Sequence, residues 1–104
     1  MYFYAIPQNI HAALQLIPIG NPASDSYAII DQIIQLIHDT SLTYQVTPFN
    51  TVVEAPWADV QLLVSNIQAY LFELPQQEWV LNVQLHCKAQ DDVSFASKEV
   101  QINE

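Results

Sequence analysis

Ile30, Ile33, Ile34 and Ile37 stand at i, i+3, i+4 and i+7, one continuous apolar stripe on a 3.6-residue period. Asp31, Gln32, Gln35 and His38 fall away from it. Val60, Leu63, Val64, Ile67 and Leu71 repeat the pattern further along. Amphipathic helices are therefore expected over Tyr27–Asp39 and Trp57–Phe72, and each must lay its stripe on another layer. Ser24, Asp25 and Ser26 offer capping oxygens before the first. Pro56 suits the first helical position of the second, Asp59 favours its positive end, and Pro75 marks its stop.

The remaining segments alternate with a period of two. His11–Pro18 sets Ala12, Leu14 and Leu16 against Ala13, Gln15 and Ile17. Leu42–Thr47 sets Leu42, Tyr44 and Val46 against Thr43, Gln45 and Thr47. Asn50–Glu54 is short and β-branched, and only Pro48 and Phe49 separate it from the strand before, a hairpin spacing. Trp79–Lys88 sets Leu81, Val83, Leu85 and Cys87 against Val80, Asn82, Gln84, His86 and Lys88. Met1–Ile6 is either an extra edge strand or a loose arm. In Ser94–Glu104, Val100 and Ile102 suit a strand, whereas Ala96–Val100 suits a helical turn.

The order β-α-β-β-α-β with right-handed crossovers predicts an α+β, ferredoxin-like sandwich: an antiparallel four-stranded sheet with two helices on one face. The helix stripes and the Leu/Val strand faces form its core. One domain over 10–90 is expected, with an N-terminal arm over 1–9 and a C-terminal tail over 91–104.

Composition narrows the function. The 104 residues carry a formal charge of −9, from 11 acidic residues and only 2 lysines. Two lysines cannot form a nucleic-acid stripe, and an anionic membrane repels such a chain. Without Arg there is no bidentate fork for phosphate. The single glycine, Gly20, precludes glycine-rich nucleotide loops. Cys87 is the only cysteine, which excludes an internal disulfide and a cysteine zinc cluster. Polar residues interrupt both apolar N-terminal runs and no basic residue precedes them, so a cytoplasmic chain with a reduced thiol is expected.

Only 12% of residues are charged, against about 25% in an average domain. The sheet face turned away from the helices reads Ala13, Gln15, Ile17, Thr43, Gln45, Thr47, Asn82, Gln84 and His86, without a carboxylate. A second subunit or the terminal arms are expected to cover it.

Few residues suggest chemistry. His11, His38 and His86 have no metal-ligand spacing. His38 suits a helix C-terminus, and His86 suits an interface hydrogen bond or a ligand. Cys87 reads as a buried, inert thiol. Asp91 and Asp92 read as a solvated turn. The densest segment is 42–57, L-T-Y-Q-V-T-P-F-N-T-V-V-E-A-P-W. Its one carboxylate, Glu54, is placed to accept either from the next helix's first amides or from a ligand amine or cation. Tyr44, Phe49 and Trp57 are either stacking faces or ordinary core aromatics.

The order of I-P-I-G (17–20), Ser24 and Ser26 at a helix start, T-S-L-T-Y (40–44), P-F-N-T-V-V-E (48–54) and W-A-D-V (57–60) resembles the thiamine-binding, YkoF-like family of small ferredoxin-like proteins. The resemblance spans about residues 12–90. It implies a non-catalytic protein, homodimeric or homotetrameric, that binds thiamine or its hydroxymethylpyrimidine part as a cytosolic carrier or sensor, with no cofactor. Residue by residue it points to Thr51 and Glu54 first, then Tyr44 and Ser26, with Asn82 on the last strand a further candidate. The sequence departs from the family pattern at Ser41 and Ala55, where glycines are usual, and at L-H-C-K-A-Q-D-D (85–92). The fold also admits a cofactor-free enzyme using the sheet face, or a structural oligomer that has lost its ligand.

Overall fold

Both apolar stripes form helices. A computed structural model describes residues 8–20, 23–75 and 78–99. The elements are β1 (Asn9–Pro18), α1 (Ala23–Asp39), β2 (Thr43–Val46), β3 (Thr51–Pro56), α2 (Trp57–Phe72), β4 (Trp79–His86) and a short α3 (Phe95–Glu99). α2 has the limits its period predicts. α1 begins at Ala23, so Ser24, Asp25 and Ser26 fall inside its first turn, where the Asp25 carboxylate still meets the positive end of the dipole. Met1–Ile6, Val100 and Ile102 lie outside the described residues.

The sheet order is β2-β3-β1-β4, antiparallel throughout. This is the ferredoxin-like α+β arrangement. Its register defines transverse rows. Tyr44, Val53, Ala12 and Leu85 form one row on the helix side, and Val46, Thr51, Leu14 and Val83 form the next. On the other side lie Thr43, Glu54, His11 and His86, then Gln45, Val52, Ala13 and Gln84. The core joins Ile10, Ala12, Leu14, Val53 and Ala55 to Ile33 and Ile37 of α1 and Val60, Leu63, Ile67 and Leu71 of α2.

Three expectations need correction. The open sheet face does carry a carboxylate: Glu54 is directly opposite His11 there. β4 contributes less to the core than its alternation implies. α2 packs mainly over β1 and β3, so Leu81 is half-buried while Val83 and Leu85 stay exposed on this edge strand. Cys87 is exposed rather than buried. β4 ends at His86, opposite His11, and pairing with β1 goes no further; the chain then turns through the Lys88–Asp91 bridge.

Residues 91–99 pack back onto the sheet. Val93 is buried, and its N–H donates to the Asn9 carbonyl (3.0 Å). The helical reading of the tail therefore holds over α3, which lies across one end of the open face.

Candidate functional site

A cleft of about 120 Å³ opens between α1 and the β2–β3 hairpin. Ile30, Ile33, Ile34 and Ile37 form its helix wall, and Leu14, Leu16 and Leu81 its floor. The α1 stripe thus serves both core and cleft. Thr47, Pro48, Phe49, Asn50 and Thr51 form the hairpin wall. The Thr47 hydroxyl fixes this turn: it accepts from the Phe49 and Asn50 amides (3.2 and 3.1 Å) and donates to the Asn50 side-chain oxygen (2.9 Å). Phe49, 78% exposed, stands at the rim.

Thr51 is the informative residue. It is only 6% exposed, lines the cleft, and its hydroxyl has no hydrogen-bond partner among the described residues. A buried polar group without a partner costs about 1–3 kcal/mol. Such a group facing an apolar cleft is a free donor and acceptor for whatever enters.

The other sequence candidates lie elsewhere. Glu54 follows Thr51 by three residues on one strand, so the two point to opposite faces. Tyr44 is on the helix side, but its hydroxyl is hydrogen-bonded to His38 Nδ1 (2.8 Å), tying β2 to the end of α1. Ser26 is half-buried in the first turn of α1 and does not line the cleft. Asn82 is on the open face, where its amide donates to Gln15 Oε1 (3.2 Å). Of the five, only Thr51 reaches the cleft.

Glu54 instead anchors α3. Its Oε1 accepts from the Phe95 amide (2.7 Å) and is 2.9 Å from His11 Nε2. Lys98 Nζ is 2.8 Å from His11 Nδ1. An ammonium can only donate, so Nδ1 accepts and Nε2–H donates to Glu54. The Phe95 ring lies against the His11 ring, with centroids 4.4 Å apart. This network leaves His11, at 3% exposure, buried with both ring nitrogens satisfied. Beside it, His86 is held below its ordinary value of 6.5, chiefly by the Lys98 charge, with smaller contributions from desolvation, His11 and Lys88.

In the sequence His11 stood only as a histidine without metal-ligand spacing, and Lys98 was not singled out. The signal for His11 was available only through register, since it opposes Glu54 on β1. Lys98 carried a simpler signal: it is one of two lysines in a strongly acidic chain.

The sequence model of the thiamine-binding protein family matches residues 12–102. The chain belongs to this family. No curated protein matches the sequence. Among solved structures, the chain is similar to a Thermotoga maritima protein assigned provisionally to thiamine biosynthesis or salvage, at TM-score 0.80 and 22% identity, covering 89% of this chain and 97% of that one. A domain of unknown function from Bacillus cereus aligns at TM-score 0.80 and 15% identity, covering 98% and 97%. A hypothetical protein from Methanocaldococcus jannascii aligns at TM-score 0.80 and 16% identity, covering 93% and 98%. At these identities the structures share the fold of this thiamine-binding family member.

Proposed function

We propose that this chain is a non-catalytic binding protein for thiamine or its aminopyrimidine part, held in the cleft between α1 and the β2–β3 hairpin. The observation that carries the reading is the Thr51 hydroxyl, buried, unpartnered among the described residues and at the wall of an apolar cleft. An aminopyrimidine is a flat ring with an amine donor and ring-nitrogen acceptors. It matches apolar walls with one group that can both donate and accept. Phe49 at the rim offers a face for stacking, or for a thiazolium cation. The charge of −9 favours a cation over the diphosphate form.

Calorimetry with thiamine, hydroxymethylpyrimidine and thiamine diphosphate tests the reading. Heat with the first two, weakened in Thr51→Val and unchanged in Glu54→Gln, is the expected result. No heat with any of the three removes it. Weakening in Glu54→Gln alone moves the site to the open face.

The reading includes a cytoplasmic, self-associating protein. No helix among the described residues is long and apolar enough to cross a membrane. Trp57, Val64, Val83 and Leu85 line an exposed groove between α2 and the edge strand β4, the kind of apolar surface that a second copy covers. Native mass spectrometry reports the subunit count and any retained small molecule together; a monomer at micromolar concentration would sink the dimer.

A further inference from the structure

The chain has very little positive charge, and the fold gathers it. Lys98, on α3, is beside His11 on β1, and His86 on β4 is opposite His11 in the register. Lys88 follows two residues after the end of β4. Both lysines and two of the three histidines therefore meet at one end of the open sheet face. Among the described residues neither lysine is in an ion pair, although the chain has 11 acidic residues. The Glu54 carboxylate, on the same face, is committed through Oε1 to His11 and the Phe95 amide.

The cluster has room beside it. A cavity of about 310 Å³ lies over the sheet, lined by His11, Ala13, Val52, Gln84, His86 and Lys98, with Leu85. Ala13 and Val52 sit one row along from His11 and His86, and their short side chains form the floor. Lys98 uses one of its three donors on His11, leaving two. Gln84 and His86 add amide and imidazole donors from β4.

We propose that this cavity binds a small oxyanion, a carboxylate or phosphate group, held by Lys98 with His86 and Gln84. It is separate from the cleft beside α1, which is on the other side of the sheet. An anion there accepts from an ammonium that has no carboxylate partner among the described residues. Lys98 is also the largest cause of the lowered His86 pKa, which places the two side chains on the same cavity. The acidic remainder of the chain does not cancel the local field. Exposed charges more than about 8 Å away are largely screened at physiological salt, whereas these donors act at contact.

The test is a titration of the full chain with sodium phosphate and, separately, sodium acetate. The histidine ring resonances are followed by NMR at pH 7.5, with sodium chloride at matched ionic strength as reference. Saturable shifts of His86 and His11, with His38 stationary, are expected. Lys98→Gln should weaken the binding at least fivefold. Because Lys98 also holds α3, a second variant, Gln84→Glu, places a carboxylate in the cavity from an exposed strand position and should abolish the shifts while α3 stays docked. Response to phosphate alone identifies a phosphate site; response to both identifies a general carboxylate and phosphate site. Shifts no larger than those with chloride, equal movement of His38, or undiminished binding in Gln84→Glu would overturn the proposal.

Discussion

Single residues in this chain record two unresolved tensions. Thr51 buries a hydroxyl that nothing among the described residues satisfies. Thr51→Val keeps the shape and removes the polar atom. It should stabilise the ligand-free protein by up to about 1 kcal/mol in urea denaturation, while weakening any ligand that uses the hydroxyl. A loss of stability would show that the hydroxyl has a partner in the free protein. Ser41, two residues past the end of α1, has φ of 65°, in the left-handed region that favours glycine. Its amide donates to the His38 carbonyl (3.1 Å), and the Thr40 hydroxyl donates to the Ile37 carbonyl (2.6 Å), so the helix end is held in place despite the strain. A left-handed L-residue costs about 1–2 kcal/mol, and glycine's greater unfolded-state freedom offsets part of the gain. Ser41→Gly should therefore raise stability by about 0.5–1 kcal/mol, read from the urea midpoint.

At the scale of elements, α3 is too short to be stable alone and depends on what it touches. Its anchors are the buried Val93 just before it, the Phe95 ring on His11, and the Glu54 carboxylate that joins Phe95 and His11. Glu54→Ala leaves the buried His11 Nε2–H and the Phe95 amide without their acceptor. The expected cost is about 1–3 kcal/mol, with the Phe95 amide losing its hydrogen-exchange protection. Unchanged protection would mean that Val93 and the ring contact suffice to hold α3. The start of β4 is secured differently: Trp79 Nε1–H donates to Gln68 Oε1 (2.9 Å), and the Trp79 ring meets Phe72 edge-on at 5.0 Å. This is a second reason that β4 is best packed at its beginning, while Val83 and Leu85 further along remain exposed.

The whole molecule is thin, 21 Å along its shortest axis, which accommodates one helix layer on one sheet. Among the described residues α3 alone crosses its open face, and the His11, His86 and Lys98 side chains meet there. His86 has its folded-state pKa below 6.5, so the folded protein binds fewer protons than the unfolded chain as pH falls through that value. The His86 contribution is present above pH 6.5 and is lost progressively below it. Urea midpoints measured from pH 7.5 to pH 5 should fall more steeply for the native sequence than for His86→Asn. Parallel profiles would show that the repulsion from Lys98 does not reach the folding equilibrium.

The sequence alone carried β1 to β4, α1 and α2 in their order, because periods of 3.6 and 2 are local properties of consecutive residues, but it left the tail open between a strand and the helical turn that became α3. It also carried the family, through short motifs spread over most of the chain. It even marked Ser41 as a position where a glycine is usual, and the left-handed φ gives the reason. Only the tertiary structure decided which candidates share a site. Thr51 and Glu54 are three residues apart in sequence yet face opposite sides of the sheet, and the faces were assigned by pairing with β1. His11, Glu54 and Lys98 are distant in sequence and meet only once β1 and β3 are in register and α3 folds back. Local alternation says that neighbours on a strand point to different sides. Which side is core, and what stands opposite, depends on contacts between residues far apart in the chain.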